Sequence, residues 1–257
     1  KVAVIGAGGV GGYFGARLAQ AGHDVTFVAR GRHLAAIREH GLAIESALGD
    51  AIAHCPATDD LSTLGPVDVA MLCVKLWDVE ATAPKIAGIV SNGGVVIPFQ
   101  NGVESADRVA ALLGPSHVLG GVAYIAATIR APGVIAHTGT MARLRVGAFP
   151  GGPEDRAAAF ADACRSAGVE IEHAPDIRRA LWEKFVFLAS FSGITSAARS
   201  PIGVVRSDPD LRALLEAAMR EVWSVGVARG VALPDDFVAK QLAFADGLPA
   251  AMRSSMP

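Results

Sequence analysis

Cysteine is scarce in this chain: Cys55, Cys73 and Cys164 are the only three in 257 residues, widely spaced and without a CxxC pair. That excludes a disulfide framework and points to a reducing compartment, so a cytoplasmic protein is expected. A surplus of one charge is missing too. Lys and Arg number 23 against 25 Asp and Glu, and the net charge of −2 gives no electrostatic footprint for nucleic acid or an anionic membrane. No apolar run reaches the roughly 18 residues that a spanning helix needs. Glycines interrupt the apolar N-terminus, so it is not read as a signal peptide. His23, His137 and His173 are scattered without metal-ligand spacing, and no metal is expected. Internal repeats and low-complexity segments are absent. The chain begins at Lys1 and stops at SSMP, which reads as a sequence trimmed at both ends, the C-terminal one above all.

What remains is apolar. Hydrophobic residues make up 51% of the chain, enough for the core of one large domain or two modest ones. KVAVIGAG (1–8), HDVTFVAR (23–30), VDVAMLCVK (67–75) and GGVVIPFQN (93–101) are short, β-branched runs bounded by Gly, Pro or Asn, as buried strands are. Helical stretches alternate with them, at 11–22 and 32–41, so a mainly parallel sheet covered on both faces is predicted. HVLGGVAYIAATI, VIAHTGT and ARLRVGAF (117–149) read as three strands with turns at PG and TGT, added antiparallel at the end of that sheet. A helix (154–167) and a short strand, VEIEHA, follow. After Pro175 the texture is helical: 176–199, 208–230 and 235–246. These features predict an α/β fold with a Rossmann-type N-terminal domain over 1–175 and an all-helical domain over 176–257.

VIGAGGVGG holds the pattern GxGxxG as Gly6, Gly8 and Gly11. It follows a strand and opens a helix, the context in which the glycines allow a tight turn, close approach to a pyrophosphate and close helix–strand packing. The helix N-terminus adds free N–H groups and a positive dipole end. Gly9 and Val10, inside the loop, are expected at the cofactor with them. The end of the second strand carries Arg30-Gly31-Arg32 where an NAD-binding chain places an acid for the ribose 2′-OH. An arginine there pairs with a 2′-phosphate, so NADPH is the expected cofactor, held by Arg30, with the part of Arg32 left open.

The glycine loop, VK (74–75), QNG (100–102), PG (132–133), LWEKF (181–185) and SSM (254–256) occur in an order that resembles the ketopantoate reductase (2-dehydropantoate 2-reductase) family over nearly the whole chain. The resemblance implies NADPH-dependent reduction of the ketone of a 2-oxo acid, with ketopantoate and the synthesis of pantothenate and coenzyme A as the leading case. It makes Lys184 the general acid, at the head of the apolar run 185–198. An ammonium there would stabilise the charge growing on the substrate oxygen and deliver its proton, and apolar surroundings would lower its pKa towards working pH. It places Lys75 near cofactor and substrate, Asn101 at the nicotinamide and the carbonyl, and Ser255 on the carboxylate side of the substrate.

The chain departs from the family pattern on one helix face. Lys184, Leu188 and Ser192 stand at i, i+4 and i+8, and many ketopantoate-reducing members have asparagines at the second and third of these positions. Leu188 cannot hydrogen-bond and Ser192 is short, so a more apolar 2-oxo acid is a second expectation. The family's acidic residue about a dozen positions beyond SSM lies past the end of the chain. Other readings carried are an opine or 3-hydroxy acid dehydrogenase and, from another class, a non-catalytic NADPH sensor. Cys73 is expected as a buried, inert thiol, Glu221 as a solvated helix charge, and the apolar face of 185–198 as core, with a homodimer as its alternative use.

Overall fold

The computed structural model describes residues 1–254. By contacts the chain divides into two units, Lys1–Ile177 and Arg178–Pro257. The first runs β1 (Val2–Ile5), α1 (Gly9–Gln20), β2 (Val25–Val28), α2 (Gly31–His40), β3 (Leu42–Ser46), β4 (Ala51–Ala53), β5 (Ala57–Thr58), β6 (Val69–Leu72), α3 (Val79–Val90), β7 (Val95–Pro98), α4 (Ser105–Leu113), β8 (Leu119–Ala131), β9 (Val134–Ala148), α5 (Glu154–Ser166) and β10 (Glu170–His173). Two sheets result. One is parallel throughout, in the order β5-β2-β1-β6-β7. The chain builds outward from β1 on one side and then returns to build on the other, so the order reverses between β1 and β6, where a crevice opens at the strand C-termini.

Side-chain alternation explains why these strands are apolar on both faces. Val2 and Val4 pack with Phe14, Phe27, Met71 and Ile97 on one side. Ala3 and Ile5 pack with Leu72, Ile86, Val96 and Val109 on the other. A period of two sends successive residues to opposite faces, and both faces are covered.

The second sheet corrects the expected topology. β8 and β9 are joined to the end of the parallel sheet only by a single parallel bridge, Val96 to Val118, just before β8. They form a long antiparallel hairpin in a separate sheet, with β9 also pairing β10 and β3, and β3 pairing β4. VIAHTGT and ARLRVGAF are one continuous strand of 15 residues, not two. The TGT signal marks an irregularity, not a turn: Gly139 has φ +77°, and the register slips opposite it between Ile125 and Ala127. Glycine in a left-handed conformation serves a bulge as readily as a turn.

The second unit carries α6 (Ile177–Ala197), which starts at the last residue of the first, then α7 (Ile202–Ser207), α8 (Pro209–Ala228) and α9 (Phe237–Asp246). Asp208 caps α8, its carboxylate accepting the N–H groups of Asp210 and Leu211 at 3.0 and 2.9 Å, which divides what the sequence suggests as a single helix from the short α7 before it. Trp182 of α6 packs on Gly226 of α8, where a Cβ would stand 2.8 Å from the indole. The Arg206 guanidinium donates to the carbonyls of Ala245, Asp246 and Leu248 at the end of α9, satisfying acceptors that a helix C-terminus leaves open. Val186 and Phe191 are buried, as expected of the apolar run, and Glu221 is exposed. Among the described residues, no helix is long and apolar enough to cross a membrane.

Candidate active site

The ends of β1, β2, β5 and β6 deliver parts of one cleft, whereas the residues after β7, Asn101 among them, do not line it. After β1 come Gly6, Ala7 and Gly8. After β2 comes Arg30, and after β6 come Cys73, Val74 and Lys75. All of these line a single cavity of about 570 Å³. The glycines are there for different physical reasons. Gly6 has φ +103°, and a Cβ on it would lie 2.8 Å from the backbone carbon of Cys73. Gly11 has ordinary helical geometry, but its Cβ would meet the Gly6 carbonyl oxygen at 2.3 Å. A Cβ on Gly9 would run into the Ala127 carbonyl of β8, so the loop is pressed against the second sheet. Gly8 is extended, with nothing within 4 Å of its would-be Cβ, and it faces the cleft. Gly8 caps α1 without any side-chain hydrogen bond, which leaves the first N–H groups of the helix, Val10 among them, for an anion. The residues present therefore fit the pyrophosphate of a dinucleotide.

The Arg30-Gly31 turn works in the same way. Gly31 has φ +56°, a conformation disfavoured for residues with a Cβ, and it carries the chain from Arg30 into α2. Arg30 lines the cleft with Lys75 and Lys85, beside Asp59 and Asp60; Arg32, although exposed, is not among the lining residues. Asp60 accepts the amide and hydroxyl of Ser62 at 2.9 and 2.7 Å, and these bonds hold its carboxyl below the usual range. Sequence reasoning missed Lys85, Asp59, Asp60 and Ser62. They lie on segments between the strands, and no motif marks them. Cys73, expected as a buried thiol, is half-buried on the cleft wall; desolvation pushes its pKa up to about 12, which keeps it in the unreactive thiol form.

Asn101 follows β7 at an exposed position, before Gly102 at φ +108°. Its neighbour Gln100 fixes the local frame. The Gln100 amide donates to the carbonyls of Leu72 and Val74 at 2.9 and 3.0 Å, tying the end of β7 to the segment that carries Lys75. Among the described residues, no group of His, Cys, Asp and Glu is arranged to hold a metal ion.

In the second unit, Lys184, Leu188 and Ser192 share a face of α6, with Leu188 half-buried and Ser192 buried. Desolvation of the Lys184 ammonium lowers its pKa from 10.5 to about 8. Ser255 lies outside the described residues.

The comparisons with known proteins cover both units. The family model "Ketopantoate reductase PanE/ApbA" matches residues 2–151, and its C-terminal counterpart matches 176–257. A 2-dehydropantoate 2-reductase of Mesorhizobium japonicum is 30% identical over 255 residues, covering 91% of this chain and 78% of the relative. An uncharacterized oxidoreductase of Bacillus subtilis is 29% identical over 231 residues, covering 90% and 76%. The solved structure of 2-dehydropantoate 2-reductase from Geobacter metallireducens superposes with a TM-score of 0.90 at 30% identity, covering 98% of this chain and 84% of that one. With both family models matched in order and a strand-end dinucleotide cleft in the first unit, the chain belongs to the ketopantoate reductase family.

Proposed function

We propose that this protein reduces the ketone of a small 2-oxo acid with NADPH, with 2-dehydropantoate as the leading substrate. The observation that carries the chemistry is the desolvated ammonium of Lys184. A lysine with a pKa of about 8 is roughly nine-tenths protonated at pH 7 and gives up its proton far more readily than an exposed one. A bound nicotinamide nucleotide supplies the hydride. Lys184 Nζ then donates a proton to the carbonyl oxygen as charge builds there, and its positive charge stabilises that oxyanion in poorly hydrated surroundings. Asn101 orients the carbonyl through its amide, and Lys75, with the Gln100 amide fixing its backbone, helps to hold cofactor and substrate. The loop from Gly6 to Gly11 takes the pyrophosphate, and Arg30 the 2′-phosphate, which is what favours NADPH over NADH. The relatives named 2-dehydropantoate 2-reductase support the choice of substrate.

A second reading is favoured by Leu188, which is half-buried one turn along α6 from Lys184. An aliphatic side chain there suits a 2-oxo acid whose own side chain is apolar and lacks a hydroxyl. The test is nicotinamide absorbance with 2-dehydropantoate beside a panel of branched-chain and aromatic 2-oxo acids, repeated with Leu188→Asn/Ser192→Asn. The expected result is turnover of 2-dehydropantoate that rises about tenfold or more in the double variant, a hydrogen bond to substrate being worth that much. Higher kcat/KM on the apolar acids would select the second reading, and no turnover of any 2-oxo acid would refute both.

A further inference from the structure

One side chain ties the glycine loop to two distant parts of the first unit. His33 stands on the first turn of α2 and lines the dinucleotide cleft. Its Nε2 is 2.8 Å from the carbonyl oxygen of Ala7, the residue between Gly6 and Gly8. Its Nδ1 accepts the backbone N–H of Gly133 at 2.9 Å. The second contact decides the first. A backbone amide can only donate, so Nδ1 carries no proton, and the ring proton sits on Nε2, where it donates to Ala7.

The Gly133 end is itself rigidly placed. Gly133 lies in the β8–β9 turn at φ +77°, and a Cβ on it would stand 3.0 Å from Ala36 Cβ, one turn along α2 from His33. Its carbonyl accepts the N–H of Ala43 at 2.8 Å. The PG motif at 132–133 thus serves as the far anchor of the ring. At the near end, the Ala7 N–H donates to the Val28 carbonyl at 3.2 Å, so both polar groups of Ala7 are engaged. Because a trans peptide is planar, fixing the Ala7 carbonyl also fixes the direction of the Gly8 N–H on the opposite side of the same peptide.

We propose that His33, as the neutral Nε2–H tautomer, is a positioning residue for dinucleotide binding: it locks the Ala7–Gly8 peptide of the glycine loop against the β8–β9 turn. Both partners of its ring are backbone groups of the first unit, at the glycine loop and the β8–β9 turn. Its effect belongs on nucleotide affinity and not on the chemical step. Without the bond, the Ala7 carbonyl is free to rotate towards the phosphates, and part of the binding energy goes to reordering the loop.

The proposal rests on the dinucleotide reading above, and the experiment separates the two. NADPH affinity is measured from nucleotide fluorescence for the wild type, His33→Phe and His33→Gln, alongside kcat at saturating NADPH and the thermal midpoint. His33→Phe removes both hydrogen bonds, while His33→Gln keeps one donor and one acceptor on a side chain long enough to use them. The expected result is NADPH binding weaker by about tenfold in His33→Phe, kcat within about twofold of wild type, and most of the affinity recovered in His33→Gln. Nitrogen-15 NMR of histidine-labelled wild type should include a ring signal with Nδ1 unprotonated and Nε2 protonated that is lost in His33→Gln, beside that of His137, whose Nε2 also faces a carbonyl. Unchanged NADPH affinity in a folded His33→Phe would overturn the proposal, and so would an Nδ1–H tautomer, which decides the matter even if His33→Phe does not fold. A wild type that binds neither NADPH nor NADH would overturn the dinucleotide reading itself.

Discussion

Replacing Lys184 by methionine should make the protein more stable while removing its activity. Methionine keeps the unbranched length of lysine and discards the charge. Desolvation moves the Lys184 pKa from 10.5 to about 8. At about 1.4 kcal/mol for each tenfold change in proton affinity, that distance corresponds to roughly 3 kcal/mol held against the folded state when the amine is charged. The side chain is half-buried, solvent screens part of this, and methionine also gives up the polar interaction that the amine makes, so a gain at pH 7 of up to about 2 kcal/mol is the expectation.

The pH dependence supplies the sign. The folded protein sheds the Lys184 proton near pH 8, whereas the unfolded chain keeps it until about 10.5. Between those values the unfolded state binds more protons, so wild-type stability rises with pH. The advantage of Lys184→Met is therefore full below about pH 8 and closes as the pH approaches 10.5. Urea denaturation of both proteins at pH 7 and pH 10 reads this directly, because groups common to the two cancel in the difference. Removal of a general acid costs about 10²–10⁴ in rate, and wild-type kcat/KM should fall as the pH rises through about 8, where the ammonium is lost. A variant that turns over within about tenfold of wild type would remove Lys184 from the mechanism. A stability difference between the two proteins that is the same at pH 7 and pH 10 would refute desolvation as the cause of its lowered pKa.

The parts of the fold that were legible in the sequence are local ones. The loop from Gly6 to Gly11 announces strand, turn and helix within a dozen residues, and the β-branched runs around 69–72 and 95–98 are buried on both faces, so their apolar character is nearly continuous. The second sheet was legible only in part: the strands over 117–149 and VEIEHA show in the sequence, but β3 does not, because it pairs with residues some ninety positions away, and Leu42–Ser46 is too short to signal a strand without that partner. Gly139 misled for a different reason, since a left-handed glycine reads identically whether the chain turns or bulges. The site divides along the same line. Arg30 and Lys75 follow directly from their strands. Lys85 and His33 owe their place to the packing of α3 and α2, and the partners of His33 stand at positions 7 and 133, a relation that no spacing along the chain encodes.

Two further variants test the cleft. Arg30→Ala should weaken NADPH binding by about tenfold or more and leave NADH within about threefold, since one charge-assisted contact to the 2′-phosphate is lost; equal losses for both nucleotides would remove Arg30 from the choice of cofactor. The glycines allow a sharper separation, because the two ends of the fingerprint have different neighbours. Gly8→Ala adds a methyl to an extended residue with nothing within 4 Å, so the fold has no reason to resist it, but the methyl stands in the cleft. Gly11→Ala places its methyl 2.3 Å from the Gly6 carbonyl oxygen and 2.9 Å from Val4 Cγ1. Gly6 cannot retreat, because it already lies against the Cys73 backbone, so the overpacking costs about 1–3 kcal/mol. Gly8→Ala should therefore keep the wild-type thermal midpoint and lose nucleotide affinity, whereas Gly11→Ala should lower the midpoint by several degrees. If Gly8→Ala binds NADPH normally, the open space at Gly8 is not where the pyrophosphate approaches, and the helix N-terminus behind it is not the phosphate site.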